Sequence, residues 1–292
     1  MLDSLITAVA QGTVVSAIYA LIAIGFTMIF GVGGVLNLAH GALIMIGAYM
    51  YAIVSSSAIF PQYQFSPIIG LLLTTIIVAV LALTLYEVLV KWVEDNPIIT
   101  FLSTVLIAVA LTQVMIFYYS TSPISMSFYG GIINLGPADV RYVEAIGFLV
   151  SWVMIGLLWY YVTQTDDGRS IVATSMSERG AELTGVNIRS VRAKTWLIAG
   201  AMAGVAGIFL GSTNGATPTM WLSPLAIAFI VVVVGGIGSI KGSVIGAYLI
   251  GFLEQMTVEL VGSGFRTIPP LILLLGFMLF MPQGLFGREF HE

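Results

Sequence analysis

Apolar positions in this chain run in stretches long enough to cross a bilayer, and the charged residues gather between them. A helix needs roughly 20 predominantly apolar residues to span the hydrocarbon core. Leu5–Phe30, Leu38–Phe60, Pro67–Val90, Ile98–Tyr119, Tyr142–Val162, Thr195–Leu210 and Ile268–Phe286 meet that length or approach it. A further region, Leu222–Met256, exceeds one crossing and divides at Gly235–Gly242. Unpaired backbone groups are intolerable in hydrocarbon, and ten-residue alternating segments are missing, so the spans read as helices. The pattern predicts an all-α, polytopic integral membrane protein with about 8–9 transmembrane segments, some broken at glycines.

Composition supports that reading. Only 8% of the 292 residues are charged and 59% are hydrophobic, whereas a soluble domain carries about a quarter of its residues as charge. No polar stretch is long enough for a separate soluble domain, so residues 1–292 read as a single transmembrane domain. The net charge of -4 is spread over short loops, and no basic block points to nucleic acid as a partner. Without cysteine there are no disulfides and no thiolate metal sites. Met1-Leu2-Asp3 lacks a basic leader and the following apolar run is too long for a cleaved signal, so a retained first span is expected.

Lysine and arginine positions set an expected orientation. With the N-terminus outside, Lys91, Arg169, Arg179, Arg189, Arg192, Lys194, Lys241 and Arg288 fall inside, and Arg141 and Arg266 fall outside. The N-terminus is therefore expected outside and the C-terminus inside.

Two loops hold most of the polar sequence. Ser120–Arg141, rich in Ser, Gly and Pro, reads as an irregular external cap. Gln164–Lys194 is internal and more organised. Ser170 is a candidate helix cap, Val172, Met176 and Leu183 fall near one face, and Gly185 is a candidate stop. A short helix lying across the inner membrane face is expected.

Two glycine-rich breaks interrupt the apolar pattern. Gly31–Gly41 contains Gly34, Asn37, His40 and Gly41, and Gly235–Gly242 contains Gly236, Gly238 and Ser239. Each opens a segment with a similar ending, Ile46-Gly-Ala-Tyr in one and Ile245-Gly-Ala-Tyr in the other, which raises an internal repeat. Leu222–Ile237 and Lys241–Met256 are each about 24 Å long as helix, short for a core of about 30 Å. Half-helices with free N–H or C=O groups inside the membrane are one reading, and two ordinary helices meeting in a surface turn are the other. Asn37 and His40 either line a polar path, or respectively cap the next helix and sit at the interface.

Other polar positions are more readily placed. Glu87 and Lys91 are spaced for an ion pair on one helix face, and Glu254 is the one carboxylate deep enough in an apolar run for burial. The Gly200/Gly204 and Gly207/Gly211 spacings permit close helix packing. Gly236–Lys241 fails as a phosphate loop because Ile240 precedes the lysine and Gly242 replaces the Ser/Thr. There is no HExxH, no GxSxG and no paired acid motif, so no enzymatic site is expected and none for ATP hydrolysis.

At Gly34-Val-Leu-Asn-Leu-Ala-His-Gly41 and Ile46-Gly-Ala-Tyr, the chain resembles the branched-chain amino acid permeases of ABC importers. Leu183-Thr-Gly-Val-Asn187, Ala199–Gly207 and Val234–Gly246 extend the resemblance in the family's order, and the match is closer to the shorter of the two permease types that pair. Ala42 departs from the pattern where an acidic residue is common, and Thr184 where an apolar one is. The resemblance implies a permease subunit in the cytoplasmic membrane of a prokaryote, moving leucine, isoleucine or valine by alternating access. Its implied partners are a second permease subunit, two cytoplasmic ATPases holding ATP and Mg, an external solute-binding protein and the bilayer. No cofactor is expected on this chain itself. Carried over by position, Glu178 to Asn187, with Glu178, Arg179, Glu182, Leu183 and Gly185, would form the helix coupling to an ATPase, and the glycine breaks would line the substrate path. Relatives that carry urea, short amides or other amino acids share the breaks, and a stand-alone passive channel would need no coupling helix.

Overall fold

The computed structural model describes residues 2–55, 65–126 and 128–287. Among the described residues it is all-α apart from one hairpin. The helices are α1 (Leu2–Gly33), α2 (Ala39–Val54), α3 (Pro67–Val88), α4 (Pro97–Tyr119), α5 (Tyr142–Gln164), α6 (Asp166–Met176), α7 (Glu178–Leu183), α8 (Ile188–Asn214), α9 (Leu222–Gly235), α10 (Ile240–Leu260) and α11 (Ile268–Phe280). Six helical segments are long and apolar enough to cross a membrane, and α9 with α10 forms a further pair bent by 118°.

Local chemistry explains most helix starts. Ser66 and Asn96 cap α3 and α4 ahead of Pro67 and Pro97, whose missing N–H costs nothing in a first turn. Thr165, Ser177, Asn187 and Ser239 cap α6, α7, α8 and α10 in the same way. Helices α2, α9 and α11 differ: they begin on Leu38, Trp221 and Thr267, and none of these side chains bonds the free N–H groups.

Helix directions follow from paired residues. Gly12 lies against Phe252, Gly251 against Ser16 and Gly31 against Gly238, so α1 and α10 run antiparallel. Gly204 lies on Val78, Gly200 on Ala82 and Tyr86 on Trp196, so α3 and α8 do the same. The end of α1, the Arg192 turn of α8, the α3–α4 loop, α6 and α7 all gather at one end of the bundle, the α7 end. The hairpin and the starts of α1 and α5 lie at the other.

Taken in order, α1–α4 and α8–α11 match in kind: a long helix, a short one and two more, each running opposite to its counterpart. The fold is thus an inverted repeat, with α5 to α7 between the halves. It is not the repeat suggested by the shared Ile46-Gly-Ala-Tyr and Ile245-Gly-Ala-Tyr endings. Those segments lie in different kinds of helix, α2, which begins in the interior, and α10, which begins at the α7 end.

The centre is α1 and α8, whose apolar windows are 83% and 72% buried, together with the enclosed α2. The corresponding figures for α4 and α11 are 22% and 6%, so these helices present broad apolar faces to lipid or to another subunit. Lipid gives helices no hydrophobic reason to associate, so close backbone approach does that work. Gly200 and Gly204 meet α3, and Gly207 and Gly211 meet Ile44 and Ala48 of α2.

Several sequence expectations shift. The span expected at Leu38–Phe60 is a 16-residue helix to Val54, and its last residues lie outside those described. The expected irregular cap contains a hairpin, Ile132–Leu135 paired with Ala138–Arg141, turning at Gly136 with φ 71°. The single inner helix is two, because Ser177 breaks it and caps α7 while Ser170 sits inside α6. Met176 and Leu183 are consequently exposed, whereas Val172 packs on the core. Arg288 lies outside the described residues.

Candidate translocation path

The first glycine break returns the chain into the membrane. Helix α1 continues to Gly33, and Gly34 turns it with φ 65°. By His40 the chain has climbed back beside Ile22 and Gly25. Eleven residues of helix separate Ile22 from Gly33, about 16 Å of rise. Helix α2 therefore starts inside the membrane and runs away from the α7 end, reaching Gly211 and Met126 near its far side.

Helix α9 does the reverse. Residues 215–221 re-enter from the opposite end, held by the Ile124–Ala216 bridge, and α9 then runs to the α7 end at Gly235. Its 14 residues rise about 21 Å, too short for a crossing. The two interior starts touch. A Cβ on Gly41 would stand 2.9 Å from Trp221 Cε3 and 3.2 Å from Leu225 Cβ, and only glycine fits there. The Trp221 indole is fixed by its Nε1 donating to Thr112 Oγ1 at 3.0 Å.

The polar residues at this junction are buried. His40 is fully enclosed and Asn37 is 2% exposed. Asn37 Oδ1 accepts from Ala39 N at 3.0 Å, the one side-chain bond to the first turn of α2. His40 Nε2 lies 3.2 Å from the Ile22 carbonyl. A carbonyl only accepts, so Nε2 carries the hydrogen. His40 Nδ1 and Asn37 Nδ2 have no partner among the described residues. Two helix starts, each with a partial positive charge of about half a unit, thus face one another beside unused polar atoms.

Asn37 also faces a narrow cavity of about 30 Å³ toward the α7 end, walled by Val32, Leu36 and Trp196, with Tyr86, Glu94, Thr104 and Arg192 as its polar edge. Thr104 Oγ1 accepts from Leu38 N at 3.3 Å and ties α4 to the break.

The second glycine break lies elsewhere. Gly236 and Gly238 have φ 102° and 79°, Ser239 caps α10 by accepting from Gly242 N at 3.0 Å, and Ile237, Gly238 and Lys241 are exposed. It is a surface turn at the α7 end, and α10, at 21 residues, is long enough for a full crossing. Gly238 meets Gly31 near the end of α1, so the two breaks adjoin there. No hydrogen bond among the described residues joins Gly236–Ser239 to Asn37 or His40.

Helix α7 projects from the same end. Arg179, Glu182, Leu183 and Gly185 are exposed, Leu183 at 83%. Gly185 takes φ 88° and its N–H donates to Glu182 O at 2.9 Å, ending the helix. Glu178 alone among the expected coupling residues is tied down, by Arg192 at 2.8 Å.

Sequence reasoning missed Trp221 and the re-entrant segment before it, which reads as an ordinary turn. It also missed the partners of Glu254. That carboxylate, 1% exposed, accepts from Tyr19 Oη at 2.7 Å and from Arg266 Nε at 3.1 Å.

Residues 8–282 match the family described as "Branched-chain amino acid transport system / permease component". The chain belongs to that family. Among similar proteins, the high-affinity branched-chain amino acid transport system permease protein LivH of Salmonella typhimurium is 27% identical over 289 residues, covering 95% of this chain and 94% of its own length. The corresponding BraD protein of Pseudomonas aeruginosa is 26% identical over 291 residues, with the same coverage. The ribose import permease protein RbsC of Haemophilus influenzae is 25% identical, covering 82% of this chain and 74% of its own length. A family member of this kind is a transport subunit, which suits a chain built of membrane helices and broken at depth.

Proposed function

We propose that this chain is the permease subunit of an ABC importer that moves branched-chain amino acids across the cytoplasmic membrane. The observation that carries the reading is the meeting, beside His40, of the starts of α2 and α9, whose N-cap side chains bond none of the first-turn N–H groups; of these groups only Ala39 N finds a side chain, Asn37. Free N–H groups with a positive dipole end suit a carboxylate, and a sugar has none to offer. This favours the amino acid relatives over the ribose importer as the guide to solute.

In this reading the α7 end is cytoplasmic, because Lys91, Arg169, Arg179, Arg189, Arg192, Lys194 and Lys241 cluster there. The N-terminus is then outside. Helix α7 is the docking element for one of two ATPases, which bind the ATP and Mg, and Leu183 is its exposed apolar anchor. A second permease subunit covers part of the exposed α4 or α11 faces, and an external binding protein delivers solute. Asn37, His40 and Gly41 line the path at depth, while Gly34, Gly236, Gly238 and Ser239 form the flexing turns at its cytoplasmic mouth.

The test is gentle purification of the tagged protein from its native membrane with mass spectrometry of the co-purifying chains. Two ATPases and a second permease support the importer. A clean protein without any ATPase, with α7 intact, points to a stand-alone channel.

A further inference from the structure

We infer that Arg192 is a positioning residue for transport, a latch held on the wall of the Asn37 cavity by Glu94 and released by α7 through Glu178. The inference rests on the reading of α7 as the element an ATPase moves. Arg192 lies in the second turn of α8 with its side chain 13% exposed, and it joins three separate pieces of the fold. Its Nη2 donates to both carboxylate oxygens of Glu178, at 2.8 and 2.9 Å, on the first residue of α7. Its Nη1 lies 3.1 Å from Glu94 Oε1, in the loop joining α3 to α4. The other Glu94 oxygen accepts from Tyr86 Oη at 3.0 Å.

Arg192, Glu94 and Tyr86 all line the cavity that holds Asn37. At about 30 Å³ it has room for one or two waters and none for an amino acid. The loop that carries Glu94 is itself pinned to α4, since Val93 O accepts from Thr100 Oγ1 at 2.7 Å and Asn96 caps the helix. One turn beyond Thr100, Thr104 holds the re-entrant break. Arg192 therefore closes the only described connection that runs in charged groups from α7 to the cavity wall.

The number of contacts indicates which link yields. Glu178 holds Arg192 by two charge-assisted bonds and Glu94 holds it by one longer contact. When α7 is displaced, the guanidinium follows Glu178 and leaves Glu94. Arg192 Nε has no partner among the described residues, so nothing else retains it at the cavity. The Glu94 carboxylate then stands free at the mouth of the widened cavity.

The absence of cysteine from the chain gives a direct readout. Val32, 6% exposed on the cavity wall, is replaced by Val32→Cys in the complex as purified with its partners, in lipid nanodiscs. A small charged methanethiosulfonate is added, and modification of this chain is followed by mass spectrometry. Without ATP, Arg192→Gln and Glu94→Gln should each speed labelling about tenfold, the rate equivalent of one charge-assisted bond. Glu178→Gln leaves Arg192 on Glu94, so its labelling without ATP should stay close to the parent. ATP should raise the parent rate toward that of Arg192→Gln and should fail to raise that of Glu178→Gln. Parent-like labelling in Arg192→Gln and Glu94→Gln overturns the latch, as does a full ATP response in Glu178→Gln. Glu178 is half exposed, so its variant carries the test if the other two fail to fold. Faster labelling in Arg192→Gln and Glu94→Gln with no response to ATP in the parent supports the latch while counting against the importer reading.

Discussion

Trp221 seats on Gly41, with Cε3 placed where a side chain at residue 41 would begin. Through that contact the start of α9 meets the start of α2, although the two residues are 180 positions apart in the chain. The contact fixes the depth at which both half-helices begin. Gly41→Val must push the indole away or displace α2, an overpacking cost of about 1–3 kcal/mol. The expected result is a lower melting temperature in detergent and a shift in tryptophan emission. Unchanged melting and emission would mean that the two starts do not touch.

Asn37 and His40 lie at that junction with unused polar atoms. Asn37→Ala removes the bond to Ala39 N, worth about 1 kcal/mol as a helix cap. His40→Ala removes the donor to Ile22 O. Both variants should reach the membrane in normal amount and lose at least about tenfold in solute uptake, since a buried polar group at depth is retained for the path it lines. Full uptake with unchanged selectivity in both would remove these residues from the path.

At the far end, Glu254 depends on Arg266 and Tyr19. Arg266→Ala leaves a carboxylate that is 1% exposed without its cation. The cost should be about 3 kcal/mol, at the low end for a buried pair because Arg266 is itself 43% exposed. Chemical unfolding in lipid would measure it. Combining Arg266→Ala with Glu254→Gln should recover part of the loss, and no recovery would show that the carboxylate is not the stranded group.

These long-range pairings show where the sequence stops being legible. The spans could be read because hydrophobic length alone decides whether a helix can cross lipid. The break at Gly235–Gly242 could be located from its glycines but its depth could not, since half-helices inside the membrane and a surface turn fit the same residues. Glu87 and Lys91 could be paired from their spacing, and they bond at 2.6 Å. Glu254 stood out as a carboxylate in an apolar run, but its partners are 235 and 12 positions away and carry no local signature. The re-entrant starts were hidden for another reason. Residues 215–221 have the composition of a surface loop, and what places them at depth is packing against α2 rather than anything in their own sequence. The break at Ser177 was also obscured, since the same serine that ends α6 caps α7.

Gly185 ends α7 with a backbone conformation and an N–H bond that proline cannot supply. Gly185→Pro should loosen the end of α7, and Glu182→Arg should reverse the charge on its exposed face. Each is expected to leave ATP hydrolysis running in the assembled complex while uptake per ATP falls at least about tenfold, a loss of coupling of roughly 1.4 kcal/mol. Normally coupled uptake in both variants would place the ATPase contact elsewhere on the chain.

The measurement closest to the central claim is uptake by the co-purified complex in proteoliposomes, with ATP and the binding protein supplied on opposite sides of the membrane. Labelled leucine, isoleucine and valine should accumulate inside against a gradient only with ATP present on the α7 side, while ribose and urea should not. Uptake that ignores ATP and stops at equal concentrations would contradict the account and make the chain a passive channel.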